Sequence, residues 1–132
     1  MSEQSPQPEQ KPWMIYGANG YTGELIAREA ARRGYKPILA GRSPSKIQAL
    51  ADELGLGTMA FSLDNVEQAT RQIKGMSLVL NCAGPFSATA EPMMNACIAA
   101  RANYLDITGE IAVFELAQSL SDKARSAGIV LC

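Results

Sequence analysis

The stretch Met14-Ile15-Tyr16-Gly17-Ala18-Asn19-Gly20-Tyr21-Thr22-Gly23 constrains this chain more than any other, because a short apolar run enters a three-glycine turn and a helical pattern follows. A pyrophosphate needs many backbone N–H donors at close range, and a strand, turn and helix start supply them where side chains would obstruct. Gly17 lets the chain turn off the strand, Gly20 lets backbone approach phosphate without a Cβ, and Gly23 lets the helix pack tightly on the strand. Ala18, Asn19, Tyr21 and Thr22 complete a cradle whose helix end presents free N–H groups and the positive end of its dipole. The spacing is GxxGxxG rather than GxGxxG, so the turn alone does not separate a dinucleotide cradle from a chance turn, and its context must decide.

That context is a chain of 132 residues, 47% hydrophobic, which suits one domain with a single core. With a net charge of -1 and both signs interspersed, it has no basic stripe for nucleic acid. No apolar run approaches the ~20 residues that cross a bilayer, and the start lacks the apolar region of a signal peptide, so a cytosolic protein is expected. Cys82, Cys97 and Cys132 are spaced neither as a metal clamp nor as a redox pair, and are expected to be reduced core residues. The absence of histidine removes histidine acid/base chemistry, histidine triads and histidine metal sites from this chain.

Residues 1–11 are polar and aperiodic and read as a flexible tail, with a dinucleotide-binding domain over 12–132. From Pro12 onward, short apolar runs alternate with amphipathic stretches, the signature of βαβ units around a parallel sheet. Strands are expected at Trp13–Tyr16, Pro37–Ala40, Thr58–Leu63, Ser77–Asn81, Tyr104–Ile107 and Ile129–Cys132. Helices are expected from Tyr21 to Arg33, after Ser43 and Pro44, after an Asp64/Glu67 capping box, from Ala90 to Ala100, and as one final helix carrying Val113, Leu116, Ala117, Leu120 and Ala124 inward. The result is an α/β, Rossmann-type doubly wound parallel sheet of order 3-2-1-4-5-6 with helices on both faces. An apolar strand at the C-terminus suggests a domain edge within a longer polypeptide, the alternative being a natural terminus docked in the sheet.

In such a sheet the ligand lies at the carboxyl ends of the strands, between strands one and four. An acid at the end of strand two would bond both ribose hydroxyls of NAD, yet no Asp or Glu occurs between Glu29 and Asp52. Arg42, Ser43 and Lys46 instead supply two cations and a hydroxyl for a 2′-phosphate, which favours NADP(H). The plainer alternative makes Arg42 a solvated cation and Ser43 only a cap. Across the switch point, Ala83, Gly84 and Pro85 would let the nicotinamide ribose approach backbone, or form an ordinary turn. Phe86 either touches the nicotinamide or plugs the core, and Asp64 stands at the adenine end or caps a helix.

The motifs Gly-Ala-Asn-Gly-Tyr-Thr-Gly at 17–23, Ala40-Gly41-Arg42-Ser43, Asn81-Cys82-Ala83-Gly84-Pro85-Phe86 and Tyr104-Leu105-Asp106-Ile107-Thr108-Gly109-Glu110 occur in this order. Together they resemble the nucleotide-binding domain of the saccharopine dehydrogenase-like family, from Trp13 to Cys132, and the GYTG turn with the GPF and YxDxTGE motifs looks more like its enoyl reductase-like branch. The resemblance implies an NADP(H)-binding oxidoreductase domain, followed by a second domain that holds a small-molecule substrate.

Tyr104, Asp106, Thr108 and Glu110 stand at the end of strand five, either to orient substrate and relay a proton or to satisfy the loop and the next helix start. No tyrosine has a lysine four residues on, so the YxxxK mechanism is unsupported and the catalytic residues are not assigned. The leading expectation is cofactor binding without turnover by this chain alone. A non-catalytic NADP(H) sensor and an empty scaffold are the alternatives, and an exposed sheet edge near Cys132 leaves room for the further domain or for a second copy of the chain in a homo-oligomer.

Overall fold

The computed structural model describes residues 12–132; the expected tail, 1–11, lies outside the described residues. In chain order the elements are β1 (Trp13–Tyr16), α1 (Tyr21–Arg32), β2 (Ile38–Gly41), α2 (Pro44–Leu54), β3 (Thr58–Ala60), α3 (Val66–Ile73), β4 (Leu78–Asn81), α4 (Phe86–Ala100), β5 (Asn103–Asp106), α5 (Ile111–Ser119) and α6 (Ser121–Ala127). The strands form one parallel sheet, β3-β2-β1-β4-β5. Register places Tyr16 beside Ala40 on one side and Asn81 on the other, so the ends of β1, β2 and β4 converge.

Strand alternation divides the core in two. Met14 and Tyr16 on β1, with Val79 and Tyr104, face a core shared with α3, α4 and α5. Ile15 and Leu39 point the other way, against Ala27 of α1 and Ile47, Leu50 and Ala51 of α2. β1 is buried on both faces, as a central strand of a parallel sheet must be.

The expected sixth strand is reduced to a bridge. Leu131 pairs in parallel with Tyr104, and Cys132 N–H donates to the Tyr104 carbonyl at 2.8 Å, so this segment occupies the sixth position of the order without forming a full strand. The expected final helix is two helices, α5 and α6, meeting at Leu120, which is both the last cap of one and the first of the other.

Two helix starts also differ. Asn65, not Asp64, caps α3, its side-chain oxygen accepting from Gln68 N–H at 3.0 Å. α4 begins at Phe86 rather than Ala90, directly after Pro85, and carries Pro92 inside it. Ser43 occupies the N-cap position of α2, but its hydroxyl makes no capping bond there. Among the cysteines, Cys97 is buried, Cys82 half-buried and Cys132 exposed, so the core expectation fails for Cys132.

Candidate functional site

A cleft of about 380 Å³ opens at the carboxyl ends of β1, β2 and β4, within the ~300–1,000 Å³ typical of small-molecule sites. One wall is the turn after β1, with Gly17, Asn19 and Gly20; a second is Gly41, Arg42 and Ser43 after β2. Leu63 and Asp64 after β3 and Ala83, Gly84 and Pro85 after β4 close the ends. The sheet order brings together four segments that are far apart in the chain.

The glycine turn is built by close approach. Gly17 has φ +84, and a Cβ there would lie 2.7 Å from Ala83 N, so the turn is pressed against the loop after β4. At Gly23 a Cβ would sit 2.2 Å from the Gly17 carbonyl oxygen, which locks the start of α1 onto the turn. Gly20 differs: its φ is -77, and an added Cβ would meet only the Gly17 oxygen, at an ordinary 3.4 Å. Protein packing therefore does not demand glycine at 20; the missing side chain keeps open the space in front of α1.

Gly20 is the N-cap of α1 and supplies no side-chain cap, so no side chain covers the first-turn N–H groups of Tyr21, Thr22 and Gly23. These groups and the dipole make the cleft receptive to an anion. Gly17 N–H and Ala18 N–H are committed elsewhere, both donating to the Ala40 carbonyl at 2.8 and 3.2 Å.

Nine of the sequence-assigned residues line the cleft: Gly17, Asn19, Gly20, Arg42, Ser43, Asp64, Ala83, Gly84 and Pro85. Six do not. Ala18 is fully buried, Gly23 is inside the turn–helix contact, Tyr21 is 83% exposed, and Thr22 stands on the first turn of α1. Lys46 is exposed on α2, and Phe86 packs against the core. Asp64 lines the cleft and does not cap α3.

Tyr16, Cys82, Ala88, Thr89 and Pro92 also line the cleft. Tyr16 is buried, donates its hydroxyl to the Phe61 carbonyl at 2.8 Å, and packs its ring against that of Phe61, with centroids 5.0 Å apart and planes tilted by 46°. Burial pushes the Tyr16 hydroxyl pKa up, Arg42 opposes the rise, and Asp64 adds to it, so both charges act on this corner of the cleft. Burial, aided by Asp106, pushes the Cys82 thiol up to about 11. The alternation that places Tyr16 on the α3/α4 side of β1 is visible in the sequence; Thr89 and Pro92 depend on where α4 starts.

A fully buried Asn81 ends β4. Its side-chain oxygen accepts from Ala83 N–H at 3.1 Å, and its amide nitrogen donates to Thr89 Oγ1 and to the Tyr104 hydroxyl, both at 3.2 Å. Tyr104 donates in turn to Asp106 at 2.6 Å, and Asp106 accepts from Thr108 N–H at 3.1 Å. Tyr104, Asp106 and Thr108 thus serve the loop; Thr108 Oγ1 accepts from Glu110 N–H at the start of α5.

The family model of the saccharopine dehydrogenase NADP binding domain matches residues 13–132. The chain belongs to that family. Its cofactor is accordingly NADP(H). The human saccharopine dehydrogenase-like oxidoreductase is 30% identical over 93% of this chain and 34% of its own length. A trans-acting enoyl reductase of Mycobacterium ulcerans is 32% identical over 74% of the chain and 25% of its own length. The chain thus spans about a third or less of these curated relatives, one named as an oxidoreductase and the other as a reductase. Apo saccharopine dehydrogenase from Saccharomyces cerevisiae superposes with a TM-score of 0.74 at 17% identity, over 91% of this chain and 26% of that one, and shows the same fold. Among the described residues no helix is long and apolar enough to cross a membrane.

Proposed function

We propose that this domain binds NADP(H) along the cleft, with the pyrophosphate at the N-terminus of α1 and the 2′-phosphate at Arg42 and Ser43, within the field of Lys46. Asp64 and Leu63 then border the adenine, and Ala83, Gly84 and Pro85 border the nicotinamide ribose. The observation that carries this reading is the convergence of the glycine turn, the Arg42–Ser43 pair and the Ala83–Pro85 loop on one cavity.

When bound, the cofactor supplies hydride transfer chemistry. The chain's own contribution is to bind and orient. Its titratable cleft residues are Tyr16, Arg42, Asp64 and Cys82, of which Tyr16 is tied to a backbone carbonyl and Cys82 has a thiol held protonated. Tyr16 and Cys82 are therefore poor proton donors at neutral pH, which supports binding without turnover by residues 1–132 and a substrate held by a further domain of a longer protein. The exposed Ile107, Ile111 and Phe114, at the end of β5 and the start of α5, offer an apolar surface for such a domain. The protonated, committed state of Tyr16 and Cys82 equally supports a second reading, a non-catalytic NADP(H) sensor, which turnover by the longer protein would exclude.

Parallel calorimetric titrations with NADPH and NADH test the cofactor assignment. NADPH is expected to bind more tightly, and Arg42→Ala to reduce that preference about tenfold or more, the worth of a charge-assisted bond. A preference for NADH would overturn the role of Arg42, and binding of neither would overturn the function.

A further inference from the structure

We propose that Asn81 and Thr89 are positioning residues that set the nicotinamide end of the cleft by holding both polar groups of Ala83. The inference rests on the cofactor reading above and extends it to residues that reading does not use. Asn81 Oδ1 accepts from Ala83 N–H at 3.1 Å, while the Thr89 hydroxyl donates to the Ala83 carbonyl at 2.7 Å. One residue of the loop is thus gripped on both sides, by a strand end and by a helix.

The grip matters because Ala83 is also the surface against which the cradle rests. Any Cβ on Gly17 would strike Ala83 N and Cα at 2.7 and 2.8 Å. A shift of Ala83 therefore changes the spacing between the phosphate turn and the opposite wall. Arg42 and Ser43 stand at the 2′-phosphate end, so the wall formed by Ala83, Gly84, Pro85 and Thr89 faces the nicotinamide end.

The orientation of the Asn81 amide is itself enforced. Asp106 accepts the Tyr104 hydroxyl proton at 2.6 Å, which leaves the Tyr104 oxygen to accept from Asn81 Nδ2 at 3.2 Å. With Nδ2 turned to Tyr104 and Thr89, Oδ1 must face Ala83. No side-chain polar atom buried among the described residues lacks a partner, so the network is closed and a missing member leaves another unsatisfied.

The test compares two ligands on the same chain: NADPH, and 2′-phospho-ADP-ribose, which lacks only the nicotinamide. Thr89→Val is expected to weaken NADPH about tenfold, while 2′-phospho-ADP-ribose stays within about twofold. Thr89→Ser, which keeps the hydroxyl, is expected to restore NADPH binding. Tyr104→Phe, whose altered atom is away from the cleft wall, is expected to change the same ratio in the same direction, which a direct contact of Thr89 with ligand would not produce. Thermal melting of each variant reports folding separately. Parallel loss of both ligands, or no change in their ratio in Thr89→Val and Tyr104→Phe, would overturn the proposal while leaving the cofactor reading intact. Binding of neither ligand by the unaltered chain would remove that reading and the proposal with it.

Discussion

Replacing Gly23 and Gly20 separately by alanine should divide the stability of the cradle from its binding function. In Gly23→Ala the new Cβ lies 2.2 Å from the Gly17 oxygen and 3.0 Å from Ala18 Cα. An ordinary C···O contact is about 3.3 Å or more, so the helix start must retreat by about 1 Å. Both obstacles are backbone and cannot rotate aside. Overpacking of this kind costs about 2–3 kcal/mol, offset by up to about 1 kcal/mol from the better helix propensity of alanine. The net loss is about 1–2 kcal/mol, or about 4–8 °C in Tm for a domain of this size. In Gly20→Ala the nearest atom is at 3.4 Å and the backbone is already at φ -77, so melting should fall by less than about 4 °C. The methyl group instead occupies space before α1, and NADPH binding should weaken at least about tenfold, about 1.4 kcal/mol. Circular dichroism melting and calorimetry on the two variants provide the comparison. Unchanged melting of Gly23→Ala would refute the packing argument; unchanged NADPH affinity of Gly20→Ala would refute the cradle.

Alkylation by iodoacetamide at pH 8 should modify exposed Cys132 readily and spare Cys82 and Cys97, whose thiols burial pushes up to about 11 and about 12; peptide mass spectrometry reads the order, and Cys82 modified first would contradict it. Because those thiols titrate higher in the folded chain than in the unfolded one, unfolded protein loses protons first, and stability should decline as pH rises from about 9 toward 11. Urea midpoints across that range should fall, and the fall should be smaller in Cys97→Ala; a rise would refute the sign. On α1, Arg28→Ala removes pairs with Glu24 and Glu53 that are open to solvent, and the urea midpoint should stay close to that of the unaltered chain; a large drop would show that these exposed pairs stabilise the fold after all.

The sheet was legible because its strands are short apolar runs bounded by glycine and polar residues, and parallel order follows from the alternation with helices. The sixth position was harder to read. Ile129-Val130-Leu131-Cys132 has the composition of a strand, yet only a bridge at Tyr104 forms. Apolar periodicity continues across Leu120, where backbone geometry divides one expected helix into two. Pro92 favours a helix that begins shortly before it, since a missing N–H is harmless in a first turn; α4 nevertheless starts at Phe86 and absorbs Pro92 at its seventh position. That earlier start brings Thr89 to the cleft.

Asp64 and Asn65 are both competent caps, and sequence pattern alone does not rank adjacent ones. The bond from Gln68 N–H to Asn65 frees Asp64 for the cleft wall. The position of the glycine turn and of Arg42 on the cleft was readable because it depends on local turns at strand ends. The role of Asn81 is not legible from its motif, because its partners Thr89 and Tyr104 lie 8 and 23 residues away. A buried amide at the end of an apolar strand signals that partners exist without naming them.

The most direct test of the cofactor assignment is an amide chemical-shift map of the isotopically labelled chain titrated with NADPH. The largest changes are expected at Asn19 to Gly23, Arg42 and Ser43, and Ala83 and Gly84, with the far end of the sheet, Trp13 and Leu78, unchanged. Changes centred away from the cleft, or none at saturating NADPH, would contradict the assignment.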